Sequence, residues 1–289
     1  MAKIAVDSTS LRDRLAQKSQ CGCQKSRFLA AGDGWSVYEV LCTAGPKDRA
    51  FEEQHSQVSI AVVLSGTFQY RTSTGRELMT PGSLLLGNPH EPFDCSHEHG
   101  TGDRCVSFSY SEDFCERSGI TPKQTFRIPR IPSLRALSPL VAAAAVLSQN
   151  DFDHDLFQET AFQVLDRATH IQTGLGPREP SSSASSLARV SRVLREIEAH
   201  PEDSHELSEL AANAQLSPYH FLRCFENLTG ATPHQYVLRT RLRRAAMRLK
   251  QETTKIIDIA LDCGFGDVSN FNHAFRAEFG KSPRSYRRF

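Results

Sequence analysis

The feature that most constrains this 289-residue chain is a pattern spelled twice near its end, from His205 to Gly230 and again from Lys255 to Gly280. Each copy opens with a short apolar face: Leu207, Leu210 and Ala211 in the first, Ile256, Ile259 and Ala260 in the second. The small Ala211 and Ala214 leave room for a second helix to cross closely. In the first copy the turn is Gln215-Leu-Ser-Pro218. Ser217 suits a helix N-cap, and Pro218 suits the first helical position, where its missing N–H costs nothing. In the second copy Cys263-Gly-Phe-Gly266 turns the chain and Asp267 caps the second helix. Phe221 and Phe225, then Phe271, Phe275 and Phe279, recur every fourth residue and supply the core faces; Thr229-Gly230 ends the first copy. Two short helices joined by a tight turn form the unit that can place its second helix in a major groove. One such pattern is common among packed helices. Two in tandem, joined by a helix from Pro233 through Leu249 that carries Arg239, Arg241, Arg243, Arg244 and Arg248, are far more specific.

The stretch from Gly174 to Ser186 is Gly, Pro and Ser with almost nothing to bury, and it reads as a linker. Ahead of it, runs rich in Val, Ile, Leu, Tyr and Phe at 35–41, 58–64, 67–72, 83–86 and 104–110 alternate with turn residues, as in a small sandwich or barrel. After Pro132 the period lengthens. Leu134, Leu137, Leu140 and Val141, then Leu156, Phe157, Phe162 and Leu165, fit two amphipathic helices. That pair either forms a dimer interface or caps the barrel. The expected organisation is therefore α+β with two domains: a β-barrel over 1–132, a helical segment over 133–173, a linker over 174–186 and an all-α tandem helix-turn-helix domain over 187–289.

Charge obeys the same division. From Leu187 onward there are 16 Lys/Arg and 12 Asp/Glu, and from Thr240 onward 11 and 5. A basic end on an acidic body suits a module that sits on phosphates. No apolar run approaches the roughly 20 residues that span a bilayer, and the N-terminus lacks a signal-peptide core, so a cytoplasmic location without membrane contact is expected.

On these residues the chain resembles the AraC/XylS family of bacterial transcription regulators, over roughly Leu187 to Phe289. The resemblance is carried by Leu210-Ala211, Ser217, Phe221, Arg223, Phe225, Gly230, Pro233, Arg241, Ala245, Ile259-Ala260, Gly264-Phe265, Ser269, Phe271, Phe275, Gly280, Pro283 and Tyr286-Arg287. It implies an effector-responsive regulator rather than an enzyme, with promoter DNA, RNA polymerase, a small-molecule or metal effector and a second copy of the chain as partners, working at the bacterial nucleoid, more often as an activator. It also implies that Tyr219, Leu222 and Arg223 face bases from the first recognition helix, with Ser217, His220 and Asn227 nearer the backbone. In the second helix Val268, Ser269, Asn272, His273 and Arg276 take these roles. The two helices would enter successive major grooves about 34 Å apart. The segment from Trp35 to Tyr110, with Gly66, Pro81-Gly82 and Asn88-Pro89-His90, is similar to the cupin-type effector barrel of that family, although the paired histidines of the first cupin motif reduce to His55.

Six of the eight cysteines lie between Cys21 and Cys115. His90, Cys95, His97, His99 and Cys105 crowd into sixteen residues and offer the thiolate and imidazole donors that Zn, Cu or Fe sites use. Cys95, His97 and His99 would share one face of an extended segment. Cys21, Cys23 and Cys42 would add to this set or form a separate redox pair. The alternatives are that Cys42, Cys105 and Cys115 are small buried hydrophobes and the barrel takes an organic effector. A cupin-class enzyme using His55, His90 and His97 is a competing reading, weakened by the missing acidic ligand at motif spacing.

Overall fold

The computed structural model describes residues 24–48, 52–120, 126–149, 154–175 and 184–288. They divide into two units, one formed by Met1–Pro132 with Asp151–Ser181 and the other by Ser133–Asn150 with Ser182–Phe289.

The first unit is built on two antiparallel sheets. Strands β1 (Gln24–Gly32), β2 (Trp35–Cys42), β3 (Glu52–Gln54), β4 (Val58–Ser65), β5 (Phe68–Thr72), β6 (Gly75–Met79), β7 (Leu84–Gly87), β8 (Pro92–Ser96) and β9 (Asp103–Tyr110) are followed by helix α1 (Glu112–Arg117) and strand β10 (Arg130–Ile131). The order is β1-β2-β9-β4-β7-β10 in one sheet and β3-β8-β5-β6 in the other. The five strands expected from alternation are β2, β4, β5, β7 and β9, and four of these, β2, β9, β4 and β7, are the inner strands of the larger sheet. Between the sheets lie Ala61, Val63, Phe68, Tyr70, Met79, Leu85 and Cys105, joined by Val40, Phe93 and Cys95.

Two further helices come next in the chain, α2 (Ser138–Leu147) and α3 (His154–Gln172). The sequence reading treats 133–173 as one helical segment, and the structure divides it. α3 stays with the sheets, burying Phe157, Ala161, Val164, Leu165 and Ala168, while the Tyr110 hydroxyl donates to the Ala161 carbonyl at 2.8 Å. Leu156 and Phe162, expected on the packed face, are 39% and 45% exposed. α2 belongs to the second unit. It is apolar on nearly every side, with Leu140, Val141, Ala142, Ala144, Ala145 and Leu147 buried, and its alanines allow close approach to other helices.

The second unit continues with α4 (Ala184–Ala199), α5 (Leu207–Asn213), α6 (Pro218–Thr229), α7 (Pro233–Gln251), α8 (Ile256–Asp262), α9 (Val268–Phe279) and α10 (Pro283–Arg288). α4 begins inside the stretch read as linker, three residues before the expected domain start. α7 opens with a complete capping box between Thr232 and Gln235 and has Pro233 in its first turn. Ala142 of α2 joins Leu242, Ala245, Ala246, Leu249, Ile259, Ala260, Phe271, Phe275 and Phe279 in one core.

Candidate nucleic-acid interface

Helices α5 and α6, and then α8 and α9, form two helix-turn-helix pairs on either side of α7. The two turns solve one geometric problem. A residue in the left-handed region, Gln215 at φ 55° or Gly264 at φ 87°, reverses the chain. Just after it, Leu216 N–H donates back to the Ala211 carbonyl and Phe265 N–H to the Ala260 carbonyl, both within 3.1 Å. Only small side chains fit where those carbonyls are approached, and Ala211 and Ala260 are buried. Gly264 is required as well: a Cβ there would lie 2.7 Å from Glu202 Cα.

Each second helix is fixed at both ends. Ser217 Oγ accepts from His220 N–H at 3.4 Å, and Asp267 Oδ1 accepts from Asn270 N–H at 2.7 Å. Gly230 and Gly280 close the far ends in the left-handed conformation. The packed sides are Phe221, Cys224, Phe225 and Leu228 on α6, and Phe271, Phe275 and Phe279 on α9. Phe225 meets Tyr236 edge-on at 5.7 Å, and Phe275 and Phe279 both contact Tyr286 at 5.3 Å.

With those sides turned inward, helical geometry turns the opposite residues out. Ser217, Tyr219, His220, Arg223 and Asn227 are exposed, with Leu222 half-buried beside them. Tyr219 is 71% exposed, and the Arg223 guanidinium lies over its ring at 5.9 Å from the centroid. On α9, Ser269, Asn272, His273 and Arg276 are exposed and Val268 half-buried; Asn270, absent from the sequence expectation, is exposed on the same first turn. Its signal was present, since it comes directly after Ser269 behind the Asp267 cap.

The arginines of α7 play a different part from the one their number suggests. Arg239 donates to the Ser133 carbonyl, Arg243 to Glu198, Arg244 to Glu202, and Arg248 to Glu252 and Asp262. Arg241 donates to the carbonyls of Pro201, Gly264 and Asp203. Much of the basic surplus from Thr240 onward is thus engaged within the unit, so net charge overstates what is offered to phosphates.

In the sheet unit, the five expected metal donors do not converge. His90 is exposed on a turn at φ 60°, held by its N–H to the His55 carbonyl. His99 is buried, with Nε2 2.8 Å from Thr67 Oγ1. Cys95 and Cys105 line the space between the sheets. Of the five, only His97 sits in a donor group among the described residues, and its neighbours there are Cys42, which the sequence offered as an addition to the set, and Asp103, which it did not. Burial alone would push the His97 imidazole down, but its bonds to Asp103 and Cys42 outweigh this and lift it to about 10. Cys21 and Cys23 lie outside the described residues. His55 is not near His90 and His97 as a ligand set: its Nε2 lies 2.8 Å from Tyr70 Oη, and its ring stacks on Phe93 at 4.1 Å. Burial pushes it down to about 4, so the ring is neutral near neutrality.

Residues 36–165 match the family model of the AraC-like ligand binding domain, and residues 210–288 match that of a helix-turn-helix domain. Among relatives, the "Probable transcriptional regulator LumQ" of Photobacterium leiognathi is 38% identical over 105 residues, which cover 36% of this chain and 42% of that protein. The "HTH-type transcriptional activator RhaS" of Klebsiella pneumoniae is 38% identical over 100 residues, covering 35% and 36%. The matched stretch thus spans well under half of either relative. The solved DNA-binding domain of AdpA in complex with a target DNA is 29% identical, covering 35% of this chain and 90% of that one, with a TM-score of 0.34. The chain thus carries, in this order, a domain of the AraC-like ligand binding type and a helix-turn-helix domain, the pair of domains on which the AraC/XylS resemblance rests.

Proposed function

We propose that this chain is an effector-responsive, sequence-specific transcription regulator that reads promoter DNA with α6 and α9 in successive major grooves. The observation that carries this reading is the pair of end-capped helices in one unit, each showing solvent a row of polar side chains: Tyr219, His220, Arg223 and Asn227 on one, Ser269, Asn272, His273 and Arg276 on the other. Arg223 is the residue with the geometry for a two-pronged contact to guanine. Leu222 and Val268 would touch thymine methyls, and Ser217 the backbone. The sheet unit takes the effector. The outward Leu156 and Phe162 of α3 supply apolar surface for a second copy of the chain, and RNA polymerase is the partner through which the bound regulator activates.

The test is selection of duplexes from a random library by the full-length chain, followed by affinity measurement at several salt concentrations. Expected are two blocks of base preference about one helical turn apart and a steep fall in affinity with salt. Affinity for the selected duplex no greater than for random duplex would overturn the reading.

A further inference from the structure

The space between the two sheets ends in a group of three buried side chains that packing alone does not require. Cys42 is the last residue of β2 and Asp103 the first of β9, and the two are directly paired across the ladder, so their side chains share one face. His97 arrives from the loop after β8 and places Nε2 2.7 Å from Asp103 Oδ2. The Cys42 Sγ, the His97 ring nitrogen and an Asp103 oxygen all lie within 4.8 Å of one another. The His97 and Asp103 side chains are only 4% and 6% exposed. Two glycines let the backbone close around them. A Cβ on Gly102 would sit 2.7 Å from the Cys42 carbonyl oxygen, and one on Gly66 would sit 2.6 Å from Asp103 Cα, both at positive φ.

A buried histidine–aspartate pair would by itself be a sufficient account of two of these groups. The Cys42 thiol, which also bonds the His97 ring, is aimed at the same point and makes a third donor there. A divalent ion engages all three at once. With a thiolate, a carboxylate and a neutral imidazole as ligands, the site carries no net charge, which suits a space screened from water. Ligands of tetrahedral zinc stand about 2.0–2.3 Å from the metal and so about 3.3–3.6 Å from each other, and the present spread reaches that with rotations of the side chains. The mixture of sulfur, nitrogen and oxygen favours a borderline ion over a hard one such as magnesium or calcium. Cys105 lies two residues beyond Asp103 along β9 and Cys95 two residues before His97, so further thiols line the same interior.

We propose that Cys42, His97 and Asp103 form a Zn²⁺-binding site inside the N-terminal unit, with its fourth position open to a neighbouring thiol, water or a small ligand. Occupancy does not depend on the DNA reading, and its test needs no DNA.

The full-length chain, stripped with chelator under reducing, anaerobic conditions, is titrated with Zn²⁺ against a chromophoric competitor and separately with Co²⁺. Expected is one ion per chain, with the near-ultraviolet thiolate-to-cobalt band of a tetrahedral site. Cys42→Ser, His97→Gln and Asp103→Asn should each weaken binding by on the order of 100-fold, while Cys115→Ser leaves it unchanged. X-ray absorption on the unmodified zinc-loaded chain, which needs no variant to fold, should give a mixed shell of sulfur and lighter donors. The proposal is overturned if no ion binds, if a shell without sulfur is found, or if the ion survives Cys42→Ser and is lost with Cys21→Ser/Cys23→Ser.

Discussion

The Arg241 guanidinium donates from Nη1 to the Gly264 carbonyl at 2.8 Å, which ties the middle of the long connecting helix to the turn of the second helix-turn-helix pair. Its other nitrogens bond the carbonyls of Pro201 at 2.6 Å and Asp203 at 2.9 Å, in the segment that leads into the first pair. One planar, permanently charged fork therefore sets the position of both pairs relative to α7.

Arg241→Ala should accordingly destabilise the second unit by about 2–4 kcal/mol, since it removes charge-assisted bonds and strands partly buried carbonyls. Arg241→Lys should recover only part of this, because an ammonium cannot reproduce the fork. Chemical denaturation of the full chain, followed by a probe in the second unit, measures both. Equal stability of the lysine variant and the parent would show that charge alone suffices.

The placement of α2 makes a separate prediction. Ala142 is 2% exposed within the core of the second helix-turn-helix pair, Ser138 Oγ bonds Glu278, and Arg239 Nε lies 3.8 Å from Glu278. Ala142→Glu would force an unpaired charge into that core, so the helical unit should melt at markedly lower temperature while the sheet unit is untouched. Hydrogen exchange resolves the two. Loss of protection in the sheets instead would place α2 with the barrel.

Acid should weaken the sheet unit through His55, whose ring packs on Phe93 and bonds Tyr70, with Glu91 the nearby acidic group. Burial lowers its pKa from 6.5 to about 4 in the folded chain. As pH falls from 6.5 towards 4, the unfolded chain takes up a proton that the folded one refuses, so stability is lost across that window and levels off below it. The ring is partly exposed, so the loss should be no more than about 3 kcal/mol. Subtracting the profile of His55→Gln isolates it; identical acid limbs would mean the ring protonates freely in place.

Legibility in the sequence depends on how local each signal is. Helices α6 and α9 were legible because caps, turn residues and the phenylalanine spacing all lie within a few positions of one another, and Gly230 and Gly280 end the helices where expected. Strands β1, β3, β6, β8 and β10 were not expected. β3 and β10 are only three and two residues long, and β1 begins with five exposed residues, so none shows clear alternation. The place of Asp103 in the donor group was missed for a different reason. Cys42 and Asp103 meet only through the β2–β9 register, and nothing in the local sequence around Asp103 reports a partner so much earlier in the chain. Clustering in sequence pointed instead to His90 and His99, which turn to solvent and to Thr67.

Recognition itself should separate by residue. Arg223 is exposed on α6, and its guanidinium lies over the Tyr219 ring. Arg223→Ala should cost about 1–3 kcal/mol of affinity, roughly 5- to 150-fold, and should relax base preference at one position of the selected site. Tyr219→Phe keeps the ring under Arg223 and should change little, whereas Tyr219→Ala should lose affinity with Arg223 still present. A side chain that contacts only phosphate would weaken all duplexes alike and reduce the salt slope by about one. Anisotropy titrations of Arg223→Ala and Arg276→Ala on the selected duplex and on its single-base variants distinguish these outcomes. If Arg223→Ala weakens every duplex equally, Arg223 is a phosphate anchor, and the specificity of the first half-site must come from Tyr219, Leu222 and Asn227.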